Sequence, residues 1–209
     1  MNIACVLRKS AEFGPEHVLW LKRQCERYIP HDLFICFSDV DVPRCIVQPL
    51  VTPWPKWWAK MEIYGCPLSG PLLILDLDTV ITRRFEPTEA QLQHSWVMRH
   101  FTRDGFRAPE EIACGTMLVT EAFRRRVFAH FCEDPYGFIR EARDDDQKYF
   151  LKYFSRDLKR FQDEFVDEFV SYKLHVLQNG LHEDNTFVEF HGLPRPWNVS
   201  APWIPKLES

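Results

Sequence analysis

The sequence lacks an excess of basic charge. Its 26 lysines and arginines are outnumbered by 30 aspartates and glutamates, for a net charge of −4, which argues against the basic footprint that nucleic-acid binding requires. Long apolar runs are missing too. The most apolar stretch, Pro71 to Leu75, ends in carboxylates, far short of the roughly 18 residues of a membrane span. The opening Met1-Asn2-Ile3-Ala4-Cys5-Val6-Leu7 meets charge at Arg8-Lys9 too early for a secretory signal and reads as a strand. No two of the seven cysteines lie three apart, so the C-x-x-C of zinc and redox sites is excluded. Several sit in apolar runs and read as small buried side chains in a reducing, cytoplasmic setting. Repeats, low-complexity stretches and credible linkers are also absent, and 209 residues suit one domain.

What is present is ordinary globular composition, 45% hydrophobic and 27% charged, with a rich aromatic content that includes 7 tryptophans and 17 phenylalanines. Ile3–Leu7 reads as a strand, Val18, Leu21, Cys25 and Tyr28 recur at helical spacing behind Pro15, and Leu33–Phe37 reads as a second strand. That order predicts a parallel βαβ unit. Trp54–Met61 should open a helix, and Leu72–Leu75 should be a central strand buried on both faces. Shorter strands are expected at Val97–Arg99 and Met117–Val119, with an edge strand at Val188–Phe190. Phe123, Val127 and Phe131 share a helical face that Asp134-Pro135 should stop, with Arg124-Arg125-Arg126 on its exposed side. Tyr149, Tyr153 and Phe154 mark another helix. The expected class is α/β, with a mostly parallel central sheet flanked by helices.

Asp76-Leu77-Asp78 follows the central apolar run directly. If the strand persists, the two carboxylates point to one side, at the carboxyl end where ligands of open α/β sheets bind. Carboxylates held together repel unless a cation or proton neutralises them. Hard oxygen ligands suit Mn²⁺ or Mg²⁺, which commonly bridge to phosphates. The plainer reading is that Asp76 and Asp78 cap the next turn.

Here the chain resembles a family. Leu73-Ile74-Leu75-Asp76-Leu77-Asp78-Thr79-Val80 looks like the D-x-D strand of nucleotide-sugar glycosyltransferases of the GT-A fold, and His191-Gly192-Leu193-Pro194-Arg195-Pro196-Trp197 is similar to the H-G-x-x-K-P-W signature of glycosyltransferase family 8. The resemblance implies a single GT-A, Rossmann-like domain, residues 1–80 forming a nucleotide half and 81–209 a sugar and acceptor half. It implies Asp76, Asp78 and His191 as ligands of Mn²⁺ or Mg²⁺, and Lys60 and Arg195 as cations on the donor diphosphate. Arg195 stands where the signature has lysine, and Ala113-Cys114 stand where the related N-S-G-V-M-L strand has Asn-Ser. Asp146-Gln147 matches a D-Q pair beside the transferred sugar, making both catalytic candidates. The implied reaction is sugar transfer from a nucleotide diphosphate sugar, UDP-linked, to an unknown acceptor with retention.

Topology alone sets Arg8, Ser38 and Asp39 at strand ends facing the nucleoside; Leu77 lies within the acidic motif, and Gly192 lets the backbone approach a ligand closely. Each has a plain counterpart: a packed or surface histidine at 191, a solvated arginine at 195, a lysine stem lying over Trp57-Trp58 at 60. Trp54, Trp57 and Trp58 could stack on a sugar or simply pack as core and lid. Asp144 is a solvated helix start favoured by the helix dipole, while Asp145 could share Asp146's role. Ser171-Tyr172-Lys173, ahead of His175, could serve donor or acceptor. Two other functions stay open. Asp76 could be the nucleophile of a haloacid-dehalogenase-like phosphatase, although about 70 residues and a βαβ unit precede it, or the chain could bind a sugar nucleotide without turnover.

Overall fold

The computed structural model describes residues 1–101, 111–143 and 145–208. The chain enters on β1 (Asn2–Leu7), crosses through α1 (Pro15–Tyr28) and returns on β2 (Phe34–Ser38), parallel to β1 with Cys5 opposite Cys36. Gly14 caps α1, Pro15 opens its first turn, and Val18, Leu21 and Cys25 are buried, as the helical spacing predicts. β3 (Ile46–Pro49) adds a largely exposed parallel edge. A 3₁₀ turn at Lys56–Lys60 and the single turn α2 (Met61–Tyr64) lead to β4 (Leu72–Leu75), parallel to β1. Then come β5 (Thr79–Ile81), α3 (Glu89–Leu92), β6 (Ser95–Arg99), β7 (Ile112–Val119), α4 (Glu121–Phe131), α5 (Pro135–Glu141) and α6 (Asp146–Phe154). The chain closes through β8 (Leu158–Arg160), α7 (Phe161–Glu164), β9 (Phe169–Ser171), a π turn at Tyr172–Val176, α8 (Leu177–Asn179) and β10 (Phe187–Glu189).

Among the described residues the strands form two sheets, one ordered β3-β2-β1-β4-β7-β6-β8 and a smaller one ordered β5-β10-β9. The large sheet is parallel except at β7, which runs against both β4 and β6. Alternate side chains of β1 and β4 feed two cores. Ile3, Cys5, Leu73 and Leu75 pack with Trp20 and Leu21 on one face, while Ala4, Leu72 and Ile74 pack with Trp58, Phe123 and Phe131 on the other. Burial on both faces is why these strands read as unbroken apolar runs, each large side chain contributing about 2 kcal/mol. No helix among the described residues is long and apolar enough to cross a membrane.

Several expectations are corrected. The helix expected to open over Trp54–Met61 begins as a 3₁₀ turn, Lys56–Lys60, and becomes α-helical only at Met61, with Trp54 and Trp58 buried in the core. α4 stops at Phe131, just ahead of Asp134-Pro135 as expected, and Asp134 then opens a further helix: its side chain accepts from Gly137 N at 2.9 Å and caps α5. Val188 and Glu189 lie in the central strand of the small sheet, not at an edge, and are buried among β5 and β9. Arg124 is fully buried, not exposed, because the Cys66 and Leu68 carbonyls accept from its guanidinium and tie α4 to the loop before β4.

Candidate active site

The acidic motif occupies the passage between the sheets. β4 ends at Leu75, Thr79 N donates to Asp76 O at 3.2 Å to close a turn, and β5 starts at Thr79. The strand does not persist through the motif, as the same-side argument required. Nevertheless Asp76, Leu77 and Asp78 all line one cavity of about 690 Å³, together with Arg8, Lys60, Gln147, His191, Gly192 and Arg195. Asp146 lines an adjoining cavity of about 640 Å³ that shares Lys60, Asp76 and Gln147. Ser38 and Asp39 lie outside both. Ser38 is buried, its hydroxyl accepting from Val40 N, and Asp39 accepts from Lys9 N at 2.8 Å. Asp144 falls outside the described residues.

Each carboxylate of the motif holds a cation. Lys60, buried at the end of the 3₁₀ turn, places Nζ 2.6 Å from Asp76 Oδ1 and 3.8 Å from Asp146 Oδ2, and donates to the Cys114 carbonyl at 3.3 Å. Burial works against its charge, but Asp76 and Asp146 outweigh that and hold the ammonium above its ordinary range. Burial pushes Asp146 up to about 6 despite Lys60. Asp145 takes a different part: it caps α6, accepting from Gln147 N at 3.1 Å. On the other side, Arg195 spans Asp78 and Glu12, the latter on the loop between β1 and α1. Burial and the charge of Asp76 raise Asp78, with Arg195 opposing.

A third buried carboxyl, Glu189, was not anticipated. It accepts from Thr116 Oγ1 at 2.6 Å and from Thr79 Oγ1 at 3.3 Å. Burial raises it to about 8; the Thr116 hydrogen bond opposes this and the charges of Asp78 and Asp76 add to it. Gly115 makes the approach feasible, since a Cβ there would stand 3.0 Å from Glu189 Oε2 and 3.4 Å from Asp76 Oδ2. An acid inside the apolar run Phe187–Phe190 was the available signal. Glu12 gave none, being one charge in a polar loop.

His191 stands exposed at the wall, its ring 5.8 Å from that of Phe101 and nearly parallel to it. Its Nε2 is 2.6 Å from Ser171 Oγ, and Lys173 Nζ donates to its carbonyl at 2.9 Å. Burial first, then Lys173, holds the imidazole below its usual range and so neutral, the form that ligates metals. By chemistry the two aspartates and this imidazole fit a hard divalent cation, and all three face one cavity. As the side chains stand, no group of three His, Cys, Asp or Glu among the described residues is gathered to hold a metal ion: Arg195 engages Asp78 and Ser171 engages His191.

No protein-family model and no curated protein matches this sequence. Solved structures do. An active-site mutant of LgtC superposes with a TM-score of 0.66 at 11% identity, over 94% of this chain and 89% of that one. The galactosyltransferase LgtC with donor and acceptor sugar analogues gives 0.62 at 11% identity, with the same coverage. The glycosyltransferase GlyE of Streptococcus pneumoniae TIGR4 gives 0.61 at 12% identity over 94% of this chain, which spans 56% of that protein's length. At such identities the likeness is one of architecture, and it reaches nearly the whole chain. The protein has the GT-A fold of the glycosyltransferases LgtC and GlyE.

Proposed function

We propose that the protein is a glycosyltransferase that moves a sugar from a nucleotide diphosphate donor, UDP-linked, to an acceptor hydroxyl. The observation that carries this reading is the meeting of Asp76, Asp78, Lys60, Arg195 and His191 around one cavity, at the carboxyl end of β4 in a fold shared with sugar transferases. Residues 1–80 supply the nucleotide half, with Arg8 on the cavity wall, and residues 81–209 the sugar and acceptor half. Lys60 and Arg195 bring fixed positive charge to where the diphosphate leaving group gains negative charge, which favours the transition state over the ground state. When bound at Asp76, Asp78 and His191, Mn²⁺ or Mg²⁺ would add Lewis-acid neutralisation of the same phosphates. Gln147 and Asp146 border the space for the anomeric carbon. There the bond to the diphosphate oxygen breaks, the bond to the acceptor oxygen forms, and the acceptor proton passes to the departing diphosphate oxygen; in this reading the configuration is retained.

The test is UDP binding by calorimetry with and without Mn²⁺, alongside release of sugar from UDP-sugars, in the wild type and in Asp78→Ala. Metal-dependent binding that the substitution abolishes is expected. Unchanged metal dependence in the variant removes the metal assignment, and binding without transfer or hydrolysis points to a sugar-nucleotide-binding domain. The phosphatase alternative has less support, because Asp76 follows the fourth strand and its carboxylate is paired with Lys60. Release of phosphate from a generic phosphomonoester, with an aspartyl-phosphate trapped on Asp76, would favour it.

A further inference from the structure

The loop between β1 and α1 is folded to present a carboxylate. Glu12 N and Phe13 N both donate to Ser10 Oγ, at 3.2 and 3.1 Å, and Ser10 N donates to Phe13 O at 3.1 Å. The turn so formed puts Glu12 on the wall of the cavity that holds the acidic motif. There Arg195 Nε donates to Glu12 at 2.5 Å, while its Nη1 donates to Asp78. The Phe13 ring lies under the guanidinium, its centre 5.0 Å from Cζ, and Trp197 meets that ring edge-on at 5.7 Å. Pro194 and Pro196 flank Arg195 and restrict the backbone that carries it. The arginine is seated between two carboxylates that belong to different parts of the chain.

This seat gives Asp78 a counter-charge of the protein's own. Asp78 is 8% exposed and feels the charge of Asp76, and a buried carboxylate beside another needs a cation. A divalent cation drawn to the same carboxylate repels the guanidinium. Entering alone, it turns Arg195 away from Asp78 and leaves it with Glu12, whose side chain is 46% exposed and whose attraction water weakens. A nucleoside diphosphate offers the guanidinium a stronger, bidentate partner. We infer that Arg195 is a tethered stand-in for the divalent cation, neutralising Asp78 until cation and nucleoside diphosphate arrive together, and that Glu12 competes with the phosphates for it. The inference rests on the donor reading above and adds a coupling to it: each ligand strengthens the binding of the other, by the same factor in both directions.

The experiment follows Mn²⁺ binding to the full chain through loss of the free-ion electron paramagnetic resonance signal, with and without UDP, and UDP binding by calorimetry in saturating Mn²⁺. In Arg195→Gln, Mn²⁺ without UDP should bind about tenfold more tightly than in the wild type, and UDP about tenfold more weakly. The factor by which UDP strengthens Mn²⁺ binding should fall about tenfold as well. Glu12→Gln, on the exposed loop, should bind UDP about threefold more tightly, because a rival for the guanidinium is gone. Residues that only propped the site would give weaker binding of both ligands in both variants. The inference is overturned if Mn²⁺ affinity is unchanged or lower in Arg195→Gln, if Mn²⁺ binds neither that variant nor the wild type, or if UDP affinity is unchanged or lower in Glu12→Gln. If Mn²⁺ binds Arg195→Gln more tightly but UDP fails to bind the wild-type protein, the stand-in holds and the donor reading falls.

Discussion

The two halves of the acidic motif are bridged differently. Asp76 is joined to Asp146 through Lys60, whose side chain is 11% exposed and rises from a turn locked between Trp58 and the core. Asp78 is joined to Glu12 through Arg195, on a loop, and Glu12 is 46% exposed. A buried cation held by one buried carboxylate and one that is a third exposed is part of the folded state. A cation whose second partner faces water can change partners at small cost. The inner bridge therefore fixes the site, and the outer one can exchange its partners.

Removing the inner cation should have the largest effect. Lys60→Met leaves Asp76 and Asp146 facing each other and is expected to lower stability by about 3 kcal/mol in urea unfolding, and to abolish UDP binding. A loss no larger than that of Arg195→Ala would erase the distinction. The pH dependence comes next. Asp146 is raised from 3.8 to about 6 in the folded protein, so the native state holds its proton where the unfolded chain has lost it. Stability should therefore fall, through this group, as pH climbs from about 4 to about 6, and level off above. In Asp146→Asn that part of the slope should vanish, as thermal melts across the window will read; an unchanged slope would mean that Asp146 keeps its ordinary acidity.

Arg195→Ala should cost about 2 kcal/mol in stability, because Glu12 regains solvent but the buried Asp78 loses its cation, and should weaken UDP binding markedly. Smallest of all, raising the salt from 0.1 to about 0.5 M should shift the wild-type stability by a few tenths of a kcal/mol more than that of Arg195→Ala, the difference being the share of the outer bridge beside surface pairs such as Lys22–Glu26 and Arg84–Glu86. An equal salt effect in the two proteins would place it wholly elsewhere on the surface.

The parts of this arrangement that the sequence disclosed are those written in neighbouring residues. The β1-α1-β2 unit follows from Pro15 and the spacing of Val18, Leu21 and Cys25, and β4 from four successive apolar residues against a carboxylate. Lys60, Asp76, Asp78, His191 and Arg195, singled out by their motifs, stand on one cavity. What stayed hidden depends on partners far along the chain. Glu189 in Val-Glu-Phe has the alternation of a solvent-facing edge, and only its contacts with Thr116, 73 positions away, and Thr79, 110 away, make it a core residue. Arg124 looks like one of three surface arginines until the Cys66 and Leu68 carbonyls, 58 and 56 positions back, are seen to accept hydrogen bonds from it. Lys60 was expected to meet a phosphate; that it already holds two carboxylates is a fact of packing that no local pattern encodes.

The short passage between the sheets has a consequence for engineering. Leu75 closes one sheet and Thr79 opens the other, so three residues cross the seam with no slack. Their carboxylates take their separation from the alignment of two sheets, which Glu189 rivets by gripping Thr79 on one and Thr116 on the other. Transplanting the tripeptide alone into another scaffold would carry the letters and leave the spacing behind; the portable unit is the seam, rivet included.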